Sequence, residues 1–120
     1  MGHMINFLHV DNDIAWREAF SEDAGNLGIS LRQFTTRKEA LAAIAEVRPD
    51  IVITDLHLGE NTDQSGYTIA RAAIEAGVPY VSIASSTGTP SQKIEGVVIQ
   101  TKNKASEWLA RIVRRGPEQG

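Results

Sequence analysis

Apolar residues along the chain gather into short runs that alternate with stretches of helical spacing, and the alternation repeats about five times. Residues 5–10 form an apolar run closed by Asp11-Asn12-Asp13. After it Trp16, Phe20, Ala24 and Leu27 recur at helical spacing, with Asp13 available as the N-cap. Residues 29–34 alternate well enough for a second strand, and Thr36 followed by Glu39 makes a capping-box pattern ahead of Leu41, Ile44 and Ala45. Pro49 blocks continuation of that helix. Ile51-Val52-Ile53-Thr54 is short and β-branched between Asp50 and Asp55, as a central strand buried on both faces should be.

From Gly66 a further helical stretch carries Ile69 and Ala73 on one stripe, and Gly77 stops it. Pro79 leads into a fourth strand over residues 80–84, and Gly96 into a fifth over 97–101. Trp108, Leu109, Ile112 and Val113 then give a last helix a narrow apolar face. Strands alternating with helices predict an α/β domain with a parallel sheet covered on both faces. One connection breaks the rhythm. Residues 85–91 are turn-forming and only 92–95 remain for a helix, so the fourth crossover helix is expected to be shortened or missing, leaving a strained or mobile loop.

The chain has 120 residues, which suits one domain. Residues 1–3 read as a cloning scar ahead of Met4, residues 4–114 as the domain, and 115–120 as a tail without periodicity. With 15 acids against 12 bases the formal charge is −3, so no basic field favours nucleic acid or an anionic membrane. There is no cysteine, hence no disulfide, thiol nucleophile or thiolate metal site, and no apolar run is long enough for a membrane span. A cytoplasmic protein is the expectation.

Ligands of open parallel sheets bind beyond the carboxyl ends of the strands. Those ends carry Asp11, Asn12 and Asp13, then Asp55, then Ser85 and Ser86, then Lys102. Two carboxylates about 5 Å apart repel by roughly 3 kcal/mol at an effective dielectric near 20, so such a cluster calls for a cation, a shared proton or a lysine. Oxygen ligands select a hard ion, and Mg²⁺ suits a site with few carboxylates and room for phosphate oxygens. Metal and lysine together make a phosphoryl clamp, in which Asp55 is the natural nucleophile and a hydroxyl such as that of Ser85 helps to neutralise charge. An acid closing a buried strand costs too much desolvation to be a simple loop cap. Asp13 has a competing role as N-cap, Thr87 reads as a turn residue, His9 as a core or edge histidine, and Trp16 and Trp108 as packing. His57, in the loop after Asp55, is a candidate for influencing hydrolysis of an acyl phosphate.

The order Val10-Asp11-Asn12-Asp13, Pro49-Asp50-Ile51-Val52-Ile53-Thr54-Asp55-Leu56, Ser65-Gly66, Val78-Pro79 and Gln100-Thr101-Lys102 resembles the receiver domain of two-component response regulators, the CheY-like family, over nearly all of residues 4–114. The resemblance implies a five-stranded, doubly wound sheet of flavodoxin-like order. It implies transfer of a phosphoryl group from a histidine kinase or histidine phosphotransfer protein onto Asp55, with Lys102 contacting that group. It implies Mg²⁺ held by Asp11 and its neighbours Asn12 and Asp13, by Asp55, and by the main-chain carbonyl of His57. Such a domain is no enzyme beyond its own phosphorylation and dephosphorylation, and it signals by contact with a downstream protein; the shortened connection before the fifth strand points to an unusual output face or a homodimer.

The sequence departs from the family pattern at several places. Asn12 stands where a second acid is usual, Ile99 where an aromatic residue is common, and the loop after Asp55 is long and lacks a proline. Counting from Pro79 brings Ala84 to the hydroxyl position, with hydroxyls beginning at Ser85. Two alternatives stay open: a phosphorylation-independent pseudo-receiver, and a small haloacid-dehalogenase-type phosphatase with Asp11 as nucleophile and Asp13 as acid–base.

Overall fold

The computed structural model describes residues 4–59, 64–85 and 92–115. Five strands, β1 (Asn6–Val10), β2 (Ser30–Phe34), β3 (Ile51–Asp55), β4 (Tyr80–Ser85) and β5 (Val97–Thr101), alternate with helices α1 (Ile14–Leu27), α2 (Arg37–Val47), α3 (Ser65–Glu75) and α4 (Lys102–Arg115). All pairings are parallel, in the order β2-β1-β3-β4-β5, which is the flavodoxin-like arrangement.

Local chemistry sets the helix ends. Asp13 caps α1 by accepting from the Ala15 N–H at 2.9 Å. At the other end Gly28 adopts φ 69°, the left-handed conformation that lets its N–H reach the Ala24 carbonyl. Thr36 caps α2: its hydroxyl accepts from the Glu39 N–H at 3.3 Å and donates to the Glu39 carboxylate at 3.1 Å. Thr101 does the same for α4, accepting from the Lys104 N–H at 3.2 Å, so that helix begins directly at Lys102 with no intervening loop.

The pleat divides the core in two. Leu8, Val10, Val52, Val81 and Ile83 face α2 and α3, packing on Ala40, Ile44, Ile69 and Ala73. Phe7, Ile51, Ile53 and Ala84 face α1 and α4, packing on Phe20, Ala24, Ala105 and Leu109. β3 is central and buried on both faces, and each Ile or Val fully buried there contributes about 1.5–3 kcal/mol. Among the described residues no helix lies between β4 and β5, in keeping with the shortened connection the sequence predicts. The turn-forming residues 86–91 lie outside the described residues, as do 60–63 of the loop after Asp55 and the terminal 1–3 and 116–120. No helix among the described residues is long and apolar enough to cross a membrane.

Candidate functional site

β1 pairs with β2 on one side and β3 on the other, so chain order reverses between β1 and β3. That reversal opens a crevice at the carboxyl ends of the two strands. Asp11, just past β1, and Asp55, the last residue of β3, flank it. Lys102, at the start of α4, reaches between them: its Nζ lies 2.8 Å from Asp11 Oδ2 and 3.4 Å from Asp55 Oδ2. The ammonium is buried and stands 5.5 Å from the centre of the Trp16 ring, so Trp16 both packs and shields the cation.

Each carboxylate is also held from the backbone. Asp11 Oδ1 accepts from the Asp13 N–H at 2.9 Å, and the Asp11 carbonyl accepts from the Arg17 guanidinium at 3.0 Å. Asp55 Oδ1 accepts from the Leu56 N–H at 2.8 Å, which turns Oδ2 towards Lys102. The Asp11 side chain is 1% exposed and that of Asp55 15%, so of the two acids Asp55 is the one an incoming group can reach. Burial, then the charge of Asp11, push the Asp55 carboxyl up to about 6, against the opposing pull of Lys102 and the Leu56 N–H. α3 is clamped onto the same turn. The Gly66 N–H donates to the Leu56 carbonyl at 2.9 Å, and a Cβ at Gly66 would meet the Asp55 carbonyl oxygen at 2.5 Å.

Of the residues singled out in the sequence, Asp11, Asp55 and Lys102 come together. Asn12 is exposed at the rim, its Nδ2 3.4 Å from the Leu58 carbonyl, which turns its amide oxygen away from that carbonyl. His57 is exposed on the loop after Asp55. Asp13 is exposed at the start of α1, where its Oδ1 accepts from the Ala15 N–H as the helix cap. Ser85 corrects the expected hydroxyl position. Asp55 registers with Ala84, and registered residues of parallel strands share a face. Ala84 packs in the α1–α4 core beside the site, whereas Ser85 has the parity of Val81 and Ile83 on the opposite face. Ser86 and Thr87 lie outside the described residues.

Three residues of the network were not recognised from the sequence as belonging to the site: Arg17, Gln33 and His9. His9 is buried beneath Asp11, with its Nε2 4.0 Å from Asp11 Oδ2 and its Nδ1 3.0 Å from Gln33 Nε2. Burial first, then the charges of Lys102 and Arg17, push its pKa down to about 3. A period of two along β1 puts His9 and Asp11 on one face, and that signal was present in the sequence.

Among the described residues no three His, Asp or Glu side chains converge as a metal site. The oxygens the structure brings together are the carboxylates of Asp11 and Asp55, with Asn12 and His57 in the loops that follow β1 and β3. Two carboxylates with neutral oxygens fit Mg²⁺, which keeps several waters, better than they fit a softer ion.

No protein-family model matches the sequence, and no curated protein matches it. Solved structures do. The receiver protein of Sinorhizobium medicae superposes with a TM-score of 0.75 at 16% identity, covering 93% of this chain and 96% of that one. The Vibrio cholerae chemotaxis protein CheY4 gives 0.71 at 22% identity, covering 94% and 98%. The N-terminal domain of a response regulator/sensory box/GGDEF protein from Carboxydothermus hydrogenoformans gives 0.73 at 17% identity, covering 95% and 94%. At these identities the likeness is one of fold, and it extends over nearly the whole of each chain. Strand order, element succession and this superposition together establish that the chain has the CheY-like receiver-domain fold.

Proposed function

We propose that this chain is a signalling receiver that accepts a phosphoryl group on Asp55 from the phosphohistidine of a histidine kinase or histidine phosphotransfer protein. The observation that carries the reading is the ammonium of Lys102 lying within 3.4 Å of both Asp11 and Asp55, at the carboxyl end of the central strand. In the transfer an oxygen of Asp55 bonds to phosphorus as the phosphorus–nitrogen bond breaks. The departing imidazole keeps the electron pair and takes a proton from solvent. A carboxylate with its pKa raised to about 6 is a stronger nucleophile than an ordinary one and is still largely ionised at neutral pH. Lys102 balances charge on the transferring oxygens.

Asp11, Asp55, the Asn12 amide oxygen and the His57 carbonyl are the groups that would hold Mg²⁺. When bound, the ion neutralises carboxylate and phosphoryl charge. The signal passes on by contact with a downstream protein. A cytoplasmic location, and no catalytic turnover beyond the domain's own acyl phosphate, belong to the same reading.

Ala84, a residue without a hydroxyl, in register with Asp55 favours one second reading, a pseudo-receiver that works as an interaction module without phosphorylation. One experiment separates them: intact-protein mass after incubation with acetyl phosphate, with and without Mg²⁺, on the wild type and on Asp55→Ala. A Mg²⁺-dependent gain of one phosphoryl group that vanishes in the variant supports the receiver. No gain, and no Mg²⁺ binding by titration, supports the interaction module. Turnover of a phosphomonoester that survives Asp55→Ala would instead revive the phosphatase, for which Asp13, engaged as a helix cap, is poorly disposed as acid–base.

A further inference from the structure

We propose that His9 is a positioning residue for Asp11: Gln33 fixes the imidazole with its single proton on Nε2, and that N–H, aimed at Asp11 Oδ2, holds the carboxylate in its working orientation. Its consequence for phosphorylation rests on the receiver reading above; the contact itself does not.

His9 and Gln33 are register partners on β1 and β2. Gln33 Nε2 donates to the Arg17 carbonyl at 2.7 Å, and a carbonyl oxygen can only accept, so the amide atom there is the nitrogen. The same nitrogen lies 3.0 Å from His9 Nδ1, to which its second hydrogen is offered. Nδ1 must therefore present a lone pair, and the ring carries its proton on Nε2. Phe20, with ring centroids 4.4 Å apart, and Phe7, at 6.0 Å, pack against the imidazole and limit its rotation.

Nε2 lies 4.0 Å from Asp11 Oδ2, longer than a hydrogen bond, and both side chains are 1% exposed, so little water screens the pair. That oxygen now has Lys102 as its 2.8 Å partner. When Lys102 turns towards a phosphoryl group on Asp55, Asp11 Oδ2 loses its ammonium partner. The His9 N–H is then the donor placed to replace it, after an approach of about 1 Å. Gln33, His9 and Asp11 thus form a relay of fixed polarity running beneath the site from the edge strand β2.

The test reads the tautomer directly. In ¹⁵N-labelled wild type, long-range ¹H–¹⁵N correlation is expected to show His9 protonated on Nε2 alone, and Gln33→Leu is expected to abolish that single-tautomer pattern. A proton on Nδ1 in the wild type would overturn the proposal. The Asp11 Cγ resonance should move in His9→Phe, which keeps a ring but no donor, and stay near wild type in His9→Gln, which restores an N–H close to the Nε2 position. With acetyl phosphate, His9→Phe should be labelled about tenfold more slowly, and His9→Gln within about threefold of wild type, both judged on samples shown by circular dichroism to be folded. Equal behaviour of the two variants in both readouts refutes the positioning role. If the wild type takes no phosphoryl group, the receiver reading fails while the tautomer and the Asp11 resonance still decide the His9 contact.

Discussion

Asp55→Asn should make the folded protein more stable at alkaline pH and leave it nearly unchanged in acid. The substitution keeps the shape of the side chain and an oxygen to accept the Leu56 N–H, and removes only the charge. Folding lifts the Asp55 pKa from its ordinary 3.8 to about 6, because burial and the charge of Asp11 outweigh the help of Lys102 and the Leu56 N–H. The native state therefore holds a proton that the unfolded chain releases between about pH 4 and pH 6. Stability from this group is full in acid and falls as pH rises through that window. At about 1.4 kcal/mol per unit the ceiling is about 3 kcal/mol. Because the titration is shared with Asp11 and Lys102, a gain of about 1–3 kcal/mol at pH 8 is expected.

His9 works in the opposite sense: its pKa falls from 6.5 to about 3, so it removes stability as pH drops below its ordinary value. Both proteins contain His9, and the difference between them isolates Asp55. Urea unfolding with a chelator present, from about pH 4 to pH 8, measures it. A difference that does not change with pH, or a variant less stable than wild type at pH 8, would refute the claim that the site strains Asp55.

Other outcomes can be stated more briefly. Gly66→Ala, whose Cβ would meet backbone at 2.5 and 2.7 Å, should cost about 1–3 kcal/mol or more in urea unfolding. Gly25→Ala, in the interior of α1 with nothing within 4 Å, should stabilise by about 0.5–1 kcal/mol in the same assay. Asp13→Ala should lose about 1 kcal/mol through the α1 cap while its Mg²⁺-dependent labelling by acetyl phosphate stays within about twofold of wild type. Ser85→Ala should likewise leave the labelling rate within about twofold, whereas Ala84→Ser, which adds a hydroxyl on the Asp55 face, should raise it several-fold; the reverse ranking would return the hydroxyl role to Ser85.

The elements legible in the sequence are those whose causes are local. Asp13 and Thr36 cap helices through hydrogen bonds to residues two and three positions on, and both were readable from the residues alone. Thr101 caps α4 in the same way, but the strand runs into the helix with no intervening loop, so no boundary in the sequence marks the cap. The run Ile51–Val52–Ile53–Thr54 marks a central strand because only a strand buried on both faces tolerates so continuous an apolar stretch. The candidate acids and the lysine were legible for a related reason: charged residues at the ends of buried runs have few purely structural uses.

From the sequence alone come the α/β succession, the Asp13 and Thr36 caps, and Asp11, Asp55 and Lys102 as candidate residues of the site. How they meet depends on contacts between residues far apart in the chain. Lys102 binds Asp11 more closely than Asp55, and Ala84 takes the place beside Asp55 that Ser85 was expected to hold. The tertiary structure also joins Gln33 to His9 beneath the site. Caps depend on neighbours a turn away along the chain, but these choices depend on the register between strands distant in sequence. That register is set by burying both faces of the sheet at once, and a slip of one residue would turn the strand side chains, His9 and Ala84 among them, to the other face.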